Sequence, residues 1–285
     1  MRFSLWTQYG ALNSTEVFDA FSNGAKSLGH DVVFNDPVSD VDVIWSVLFN
    51  GRMAKNKDIW DRNLAQSKPT LVLEVGGIKR GKTWKVGLNG INRDAYWGDI
   101  SNSNNDRAVS LGLTLKPWRN DGEHILICGQ HDKSLQWQNM PRMSTWVIRI
   151  IEEIQKHSKR PILFRPHPRC TLEHIEKEFK NVKRQDPNHV SGTYDDFDLG
   201  FSNAWATVSY SSNPGIHSIL NGVPAFVGPA SLAYDAANDI DFLHDIENPL
   251  KPDRQQWLNN YAWTEFTIEE ISQGLPLKRL TSKLF

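Results

Sequence analysis

Two short segments in the C-terminal half combine residue types that bind anions. The first, residues 165–169 with the sequence RPHPR, follows the apolar run 162–164. Prolines at alternate positions prevent a regular helix, so the chain leaves a predicted strand carrying guanidinium groups and an imidazole. Guanidinium groups form bidentate hydrogen bonds with phosphate and carboxylate groups. The segment therefore predicts an anion-binding loop at the carboxyl end of a strand.

The second segment, residues 204–227, has the pattern of a strand, a polar turn, a short helix and another strand. Within the turn, Asn213 is a suitable N-cap and Pro214 a suitable first helical residue, while Gly222 lies where a glycine would end the helix. Free amides and the positive end of the helix dipole would meet beside two serine hydroxyls, which suits a phosphate. Taken alone, the pattern also fits an ordinary capped turn between a strand and a helix.

Both segments must lie at one edge of a sheet if they are to act together. Strand-like runs, among them 2–6, 31–34, 40–48, 69–75 and 124–128, alternate with helical patterns at 15–28, 55–65, 145–157 and 172–179. This alternation predicts an α/β fold with doubly wound, mainly parallel sheets. Ligands of such sheets bind at the carboxyl ends of the strands. Gly129, Gln130 and His131 follow the strand 124–128 and are expected at the same edge.

The 285 residues suffice for two domains of ordinary size. Two sequential α/β halves joined near 105–120 are the simplest arrangement, with an N-terminal domain at 1–115 and a C-terminal domain at 116–285 that ends in tryptophan-rich helices. The polar run 99–106 is expected to be a flexible loop, either a linker or a lid.

Composition excludes several classes of protein. The net charge is −1, and the two cysteines, Cys128 and Cys170, cannot form a disulfide framework. No run resembles a signal peptide, and none is long and apolar enough to cross a bilayer. We expect a soluble cytoplasmic protein without membrane insertion, in the host cytoplasm if the protein is viral. Its oligomeric state stays open.

Charge is unevenly distributed along the chain. Residues 51–93 contain ten basic and three acidic residues, with Trp60 and Trp84 among them. Such a basic, aromatic segment indicates a polyanionic partner on the N-terminal side. The other interpretation is a solvated basic helix and hairpin. The candidate contact residues are Lys79, Arg80, Lys82, Trp84 and Arg93.

The motifs, taken in order, resemble those of a known enzyme family. The pair 129–130, the run 165–168, the run 211–215 before 222–224, and a closing tryptophan-rich helix are similar to the donor half of GT-B glycosyltransferases. The likeness is greatest to capsule-polysaccharide-type transferases and to glycosyltransferase-like proteins of bacteriophages. The run 74–77, EVGG, also resembles the phage group.

The resemblance implies two Rossmann-like domains that face a cleft. The N-terminal domain would bind the acceptor, and the C-terminal domain a nucleotide-sugar co-substrate, with a UDP-sugar as the first expectation and no essential cofactor. A donor diphosphate needs positive charge and N–H groups, and more of both as the nucleotide departs. The donor-binding residues implied are Gly129, Gln130, His131, Arg165, His167, Ser211, Ser212 and Asn213 for the diphosphate, and Tyr234 and Asp235 for the sugar or ribose.

A reaction with inversion requires a base for the acceptor hydroxyl. Glu74 lies at the carboxyl end of a predicted strand, before two glycines that let a substrate approach. Its other interpretation is a solvated carboxylate at a strand end, and Asp94 and Asp99 are rival bases. Three Asp-x-Asp pairs mimic a metal motif that GT-B enzymes usually do not need, and no HExxH or CxxC occurs, so no essential metal is expected.

Several functions follow from these expectations. The first is sugar transfer to DNA carrying a hydroxymethylated pyrimidine, with phosphates held by the basic segment and the base flipped towards the cleft. The second is transfer to a cell-surface or capsular glycan. A non-catalytic nucleotide- or nucleic-acid-binding module and a CDP-alditol phosphotransferase are the alternatives. The absence of GxGxxG and Walker A sequences disfavours dehydrogenases and P-loop proteins.

Overall fold

The computed structural model describes residues 1–193 and 196–284, which form two compact units. The first unit comprises Met1–Leu113, Lys133–Leu135 and Leu258–Phe285. The second comprises Thr114–Asp132 and Gln136–Trp257. The boundary between the units lies close to the predicted residue 115. The C-terminal residues differ from the prediction, because those from Leu258 onwards belong to the first unit.

The first unit is built on a six-stranded sheet in the order β14-β5-β4-β3-β1-β2. Strands β1 to β4 pair in parallel, whereas β5 is antiparallel to both of its neighbours. The strands are β1 Arg2–Leu5, β2 Asp31–Phe34, β3 Val41–Trp45, β4 Thr70–Val75, β5 Trp84–Leu88 and β14 Glu265–Phe266. The helices are α1 Thr15–Ser27, α2 Asn56–Ala65, α3 Asp106–Ser110, α7 Ile268–Ser272 and α8 Leu275–Leu284.

Helix α1 shows why these elements form. Val17, Phe18, Phe21 and Ala25 recur at helical spacing and are buried, so one face of the helix packs on the sheet. Phe18 contacts the ring of Trp45, and the cluster continues through the strands of the first unit. Strand β5 is the second strand of a hairpin with β4.

The C-terminal segment adds the last strand to the first sheet. Glu265 pairs with Lys85, and Phe266 pairs with Trp84. Buried Arg107 donates hydrogen bonds to the carbonyl of Glu265 and to the carboxylate of Glu270. These long-range contacts explain why residues 258–285 belong to the first unit, although the sequence predicted them in the C-terminal domain.

The second unit contains a fully parallel six-stranded sheet in the order β13-β12-β11-β6-β7-β8. A short antiparallel pair, β9 with β10, lies apart from it. The strands are β6 His124–Cys128, β7 Ile162–Arg165, β8 Val182–Arg184, β9 Asn188–His189, β10 Phe197–Asp198, β11 Ala204–Ser209, β12 Ala225–Val227 and β13 Asn238–Asp239. The helices are α4 Met143–His157, α5 Asn213–Leu220 and α6 Gln255–Tyr261, the last of which ends in the first unit.

Both sheets carry helices, so the predicted α/β class with Rossmann-like units is confirmed. One predicted helix, 172–179, is wrong. Only a 3-10 turn forms there, at Ile175–Glu178, because the chain at His174 has a non-helical conformation. Leu172 and Phe179 still pack against the core, from irregular backbone.

The first unit buries the carboxylate of Asp42 completely. It accepts hydrogen bonds from Trp6 Nε1 at 2.9 Å and Ser39 Oγ at 2.9 Å, and it pairs with Arg62 at 2.5 Å and Lys68 at 3.0 Å. Burial opposes ionisation, but the hydrogen bonds and the charge of Lys68 outweigh it and hold the pKa of Asp42 below its usual value.

Asp42→Asn should lower the free energy of unfolding of the first unit by about 3 kcal/mol at neutral pH, because two cations lose their partner. The native pKa lies below the unfolded value of 3.8, so the carboxylate stabilises the fold above about pH 4 and ceases to do so as the pH falls. Denaturant unfolding across pH should show the difference narrowing in acid. Exposed Asp19→Asn is the matched control, and parallel pH curves for wild type and Asp42→Asn would contradict this account.

Candidate functional site

The second sheet has its topological switch point between β6 and β11. From β6 the chain proceeds to β7 and β8 on one side, and β11, β12 and β13 then occupy the other side. The loops that follow β6 and β11 therefore diverge at the carboxyl edge, which is where open α/β sheets bind ligands. Both of the anion-binding segments identified in the sequence, and the turn at 129–131, lie at this edge.

Hydrogen bonds join the three loops. Buried Gln130 accepts through Oε1 from the backbone amide of Ser211 at 3.0 Å and from its hydroxyl at 3.1 Å. The amide of Gly129 donates to the carbonyl of Arg165 at 2.9 Å. The structure thus brings together residues that are separated by about eighty positions in the chain.

Helix α5 begins at the centre of this edge. Ser212, with extended backbone angles, is its N-cap, so the cap lies one residue before the predicted cap, Asn213, and the helix begins at Asn213. The hydroxyl oxygens of Ser209 and Ser212 are buried and, within 1–193 and 196–284, have no hydrogen-bond partner. A methyl group on Gly215 would lie 2.9 Å from Ser209 Oγ. Two hydroxyls with unused hydrogen-bonding capacity therefore lie at the first turn, beside the amide of Asn213. Pro214 has no N–H group, and the amide of Gly215 donates to the carbonyl of Ser212 at 3.1 Å.

Tyr210 and Gly228 shape the same edge, and sequence reasoning missed both. The amide of Gly228 donates to the carbonyl of Tyr210 at 2.8 Å, and a Cβ atom on Gly228 would lie 2.4 Å from the tyrosine ring. Trp137 meets that ring edge-on at 5.3 Å. Burial, with a contribution from Asp241, raises the pKa of Tyr210. The sequence feature that could have indicated this packing is Gly228-Pro229, directly after the predicted strand that ends at residue 227.

Arg165 is placed differently from the expectation that it contacts a diphosphate. Its guanidinium is buried and donates to Gln185 Oε1 at 2.6 and 3.1 Å, to the carbonyl of Leu199 at 2.7 Å and to that of Gly200 at 2.9 Å. Four of its hydrogen bonds are thus made within the protein. Arg165 supports the wall of the site rather than projecting from it.

The two histidines lie next to each other at the edge. The rings of His131 and His167 meet edge-on with centroids 5.5 Å apart. His167 Nδ1 accepts from the amide of Arg169 at 3.1 Å, which fixes its ring. His131 Nδ1 lies 3.7 Å from a carboxylate oxygen of Asp132. Both imidazoles are only partly buried and remain accessible to a ligand.

Tyr234 and Asp235 follow β12, the neighbour of β11. The Tyr234 hydroxyl donates to Asp239 Oδ2 at 2.6 Å, at the carboxyl end of β13. Asp235 is exposed. Contact of either residue with the sugar or ribose stays a prediction.

In the first unit, partly buried Glu74 lies opposite Lys85 in the register of β4 and β5. Its Oε1 accepts from the amide of Val75 at 2.8 Å. Lys85 is buried, and this burial lowers its pKa against the opposing charges of Glu265 and Glu74. Asp99 is exposed, and its Oδ1 accepts from Ser101 Oγ at 2.9 Å within a turn. The catalytic assignments of Glu74 and Asp99 stay predictions.

Many cations of the basic segment are neutralised within the protein. Arg62 and Lys68 share Asp42, while two helical pairs join lysines to carboxylates, Lys55 with Asp58 at 3.2 Å and Lys57 with Asp61 at 2.5 Å. Lys79, Lys82 and Arg93 are exposed, and Arg80 is partly buried.

Trp84 does not fit the predicted role in acceptor binding. Its side chain is 7% exposed and belongs to the core of the first unit. It faces the core because it pairs in register with Val75 and Phe266 across three strands. A side chain in this position cannot stack on a base or a sugar.

Two further classes of feature were sought. In the described part of the chain, no helix is both long and apolar enough to span a bilayer. Among the same residues, no three histidine, cysteine, aspartate or glutamate side chains group as a metal site requires.

Comparisons with known proteins identify the fold. No family model matches the sequence, and no curated protein matches it. Two solved structures are similar over almost the whole chain. Thermosulfurimonas dismutans KpsC, beta Kdo 2,7 transferase, has a TM-score of 0.54 at 14% identity, covering 98% of this chain and 100% of that one. Thermosulfurimonas dismutans KpsC, beta Kdo 2,4 transferase, has a TM-score of 0.52 at 13% identity, covering 97% and 98%. The chain therefore has the GT-B-like fold of these transferases, as its resemblance to capsule-type enzymes predicted.

Replacing Arg165 tests its place in the wall of the site. Arg165→Met removes two hydrogen bonds to Gln185 and two to the carbonyls of Leu199 and Gly200. Amide hydrogens of residues 196–201 should therefore exchange at least about tenfold faster. Hydrogen exchange with mass spectrometry measures this. Exposed Arg149→Met on α4 is the control. Unchanged exchange at 196–201 would show that the guanidinium does not order the wall.

Proposed function

We propose that this protein is a glycosyltransferase that moves a sugar from a nucleotide donor to a hydroxyl group of an acceptor. The observation that carries the proposal is the convergence of the loops after β6, β7 and β11 at the switch point of the second unit, tied by Gln130 and Ser211. The GT-B-like fold supports it.

The donor phosphates would bind at the start of α5. The hydroxyl of Ser212 and the amide of Asn213 supply neutral hydrogen-bond donors, and His131 and His167 lie at the same edge. Such groups stabilise the charge that develops on the departing phosphate. Arg165 acts on this site indirectly, by holding its wall. UDP-sugars are the first donors to test, although nothing in the loop geometry selects uracil.

A glycan is the acceptor that the comparisons favour. Both similar structures are, by name, transferases of the sugar Kdo. Two observations weaken the DNA hypothesis, because four cations of the basic segment are paired internally and Trp84 is buried. Hydroxymethylated duplex DNA is retained as a competing acceptor in the assay.

Catalysis would require three events at one place. The acceptor oxygen attacks the anomeric carbon, the bond from that carbon to the phosphate oxygen breaks, and a carboxylate takes the hydroxyl proton. Glu74 is proposed as this base because it is partly exposed at the carboxyl end of β4, and Asp99 is the rival. General-base assistance of this kind contributes about 10²-fold or more.

Nucleotide binding tests the donor site. Wild-type protein should bind a nucleoside mono- or diphosphate by calorimetry, and Gln130→Glu should weaken this binding more than about tenfold. The carboxylate keeps an acceptor for both hydrogen bonds from Ser211, so the fold is retained, but its charge repels phosphate. Exposed Gln256→Glu on α6 introduces the same charge away from the edge and should bind normally. Equal affinity for all three proteins would remove the donor site from this edge.

The catalytic assignment is tested by Glu74→Gln. This variant should bind nucleotide as wild type does and lose at least about 10²-fold in kcat, because the amide cannot accept the proton. Mass spectrometry of a glycan acceptor and of hydroxymethylated DNA reports the transfer, with Asp99→Asn as the comparison. Full activity in Glu74→Gln would exclude this residue as the base. Nucleotide binding without transfer from any donor would instead support a non-catalytic module.

A further inference from the structure

The hairpin between β4 and β5 has an unusual internal support. Its connection, residues 76–83, is referred to below as the 76–83 loop. The carboxylate of Glu265, which is fully buried, accepts hydrogen bonds from the amides of Gly77 at 2.6 Å and Ile78 at 2.9 Å and from Thr83 Oγ1 at 2.7 Å. One side chain from β14 therefore holds both ends of the loop.

Close packing makes this support specific. A Cβ atom at Gly76 would lie 2.3 Å from Glu265 Oε2 and 2.4 Å from the carbonyl of Thr83, so only glycine fits there. The Tyr261 hydroxyl reaches Glu265 Oε1 at 3.3 Å. Burial, with the charge of Glu265, holds the pKa of Tyr261 well above its usual value, so the phenol keeps its proton and donates.

A buried lysine lies beside Glu265 in the sheet. Lys85, its partner in the register of β14 and β5, is buried on the same row of the sheet. The tip of the loop, in contrast, carries exposed Lys79 and Lys82. In the described parts of the chain, neither ammonium group forms an ion pair. The positive charge at the tip is left for a ligand.

The loop itself is turned back by backbone hydrogen bonds. The amides of Lys82 and Thr83 both donate to the carbonyl of Lys79 at 2.9 Å, and Gly81 adopts a positive φ of 74° at the turn. The two lysines are thus presented on a fixed turn at the carboxyl edge of the first sheet. A ligand that binds a loop already held in one conformation pays little ordering entropy.

We propose that the 76–83 loop is a preformed docking site for an acidic acceptor, a glycan that bears carboxylate or phosphate groups, and that Glu265 is its positioning residue. This inference rests on the proposed function, for which it names the class of acceptor. An acidic glycan fits better than duplex DNA because the free positive charge is confined to one turn, whereas a duplex presents a long row of phosphates.

Binding without a donor tests the docking site. A sialic acid tetramer and a glycerol phosphate oligomer serve as carboxylate and phosphate probes, with maltotetraose as the neutral probe and a short hydroxymethylated duplex as the competitor. Lys79→Gln/Lys82→Gln should weaken binding of an acidic probe by about tenfold, and salt should weaken binding to wild type. Lys26→Gln/Lys278→Gln removes the same charge from exposed positions of the same unit and should bind normally.

Trypsin tests the positioning role of Glu265. The loop contains three cleavage sites, after Lys79, Arg80 and Lys82, that a held loop protects. Glu265→Gln should be cut there about tenfold faster, and its affinity for the acidic probe should fall, because the amide group of glutamine is a poorer acceptor for two N–H groups. Exposed Glu269→Gln, four residues away, is the matched control. If Glu265→Gln is unfolded by circular dichroism, Thr83→Val is the second variant. It removes the hydroxyl that bonds Glu265 and the backbone of Lys79 but leaves the amides of Gly77 and Ile78 on the carboxylate, so it should show a smaller increase in cleavage.

The outcomes separate this inference from the proposed function. Binding of acidic probes without any nucleotide binding would leave the loop assignment in place and remove the transferase. Three results would overturn the inference: equal affinity for acidic and neutral probes, an unaffected lysine double variant, or a preference for the duplex that the double variant retains. Wild-type cleavage and affinity in both Glu265→Gln and Thr83→Val would remove Glu265 as the positioning residue.

Discussion

A single buried side-chain oxygen joins the two halves of the candidate donor site. At a switch point the chain continues from two neighbouring parallel strands towards opposite sides of the sheet, so the loops that follow the strands diverge. Oε1 of Gln130 provides that link by accepting from the amide and the hydroxyl of Ser211. Without Gln130 the buried amide of Ser211 would be left unpaired, at a cost of about 1–3 kcal/mol. The link therefore also fixes the chain just before the start of α5. Ser212 follows Ser211 directly, so the same hydrogen bonds also position its hydroxyl, which has no partner among the described residues.

In the first unit, buried ionic groups join segments that are distant in the chain. Three buried ionic groups make hydrogen bonds with segments distant in the chain: the carboxylates of Asp42 and Glu265 accept them, and the guanidinium of Arg107 donates them. Desolvation makes such groups costly unless every partner is present. Their geometry therefore specifies one arrangement: Asp42 fixes α2 against β3, and Glu265 and Arg107 fix β14 at the sheet edge. The loop that Glu265 holds carries two exposed lysines, Lys79 and Lys82.

Much of the fold was readable from the sequence because its signals are local. Alternating strand and helix patterns predicted the α/β class, and strand ends followed by Gly129 or by Ser211 predicted which loops share an edge. The start of α5 differed by one residue, since both Ser212 and Asn213 are good caps. The predicted helix at 172–179 was wrong because apolar spacing alone does not show that the backbone at His174 is non-helical.

Arg165 and Trp84 differ from expectation in their burial, which the sequence of one segment does not show. Arg165 has the residue type and position of a phosphate ligand, yet carbonyl groups from residues 199 and 200 surround it. Trp84 looked like an exposed aromatic in a basic segment, but β14, supplied by residues 265 and 266, places it in the core. No local pattern announces a two-residue strand that pairs across about 180 positions. The same pairing explains why the C-terminal helices belong to the first unit.

The central claim, that the loops after β6 and β11 form one phosphate-binding edge, is tested most directly by amide chemical shifts during a nucleotide titration. On isotopically labelled protein, the amides of Gly129, Gln130, Ser211, Ser212 and Asn213 should shift together, with one common dissociation constant. Shifts confined to residues of the first unit, or scattered without a shared constant, would contradict the account.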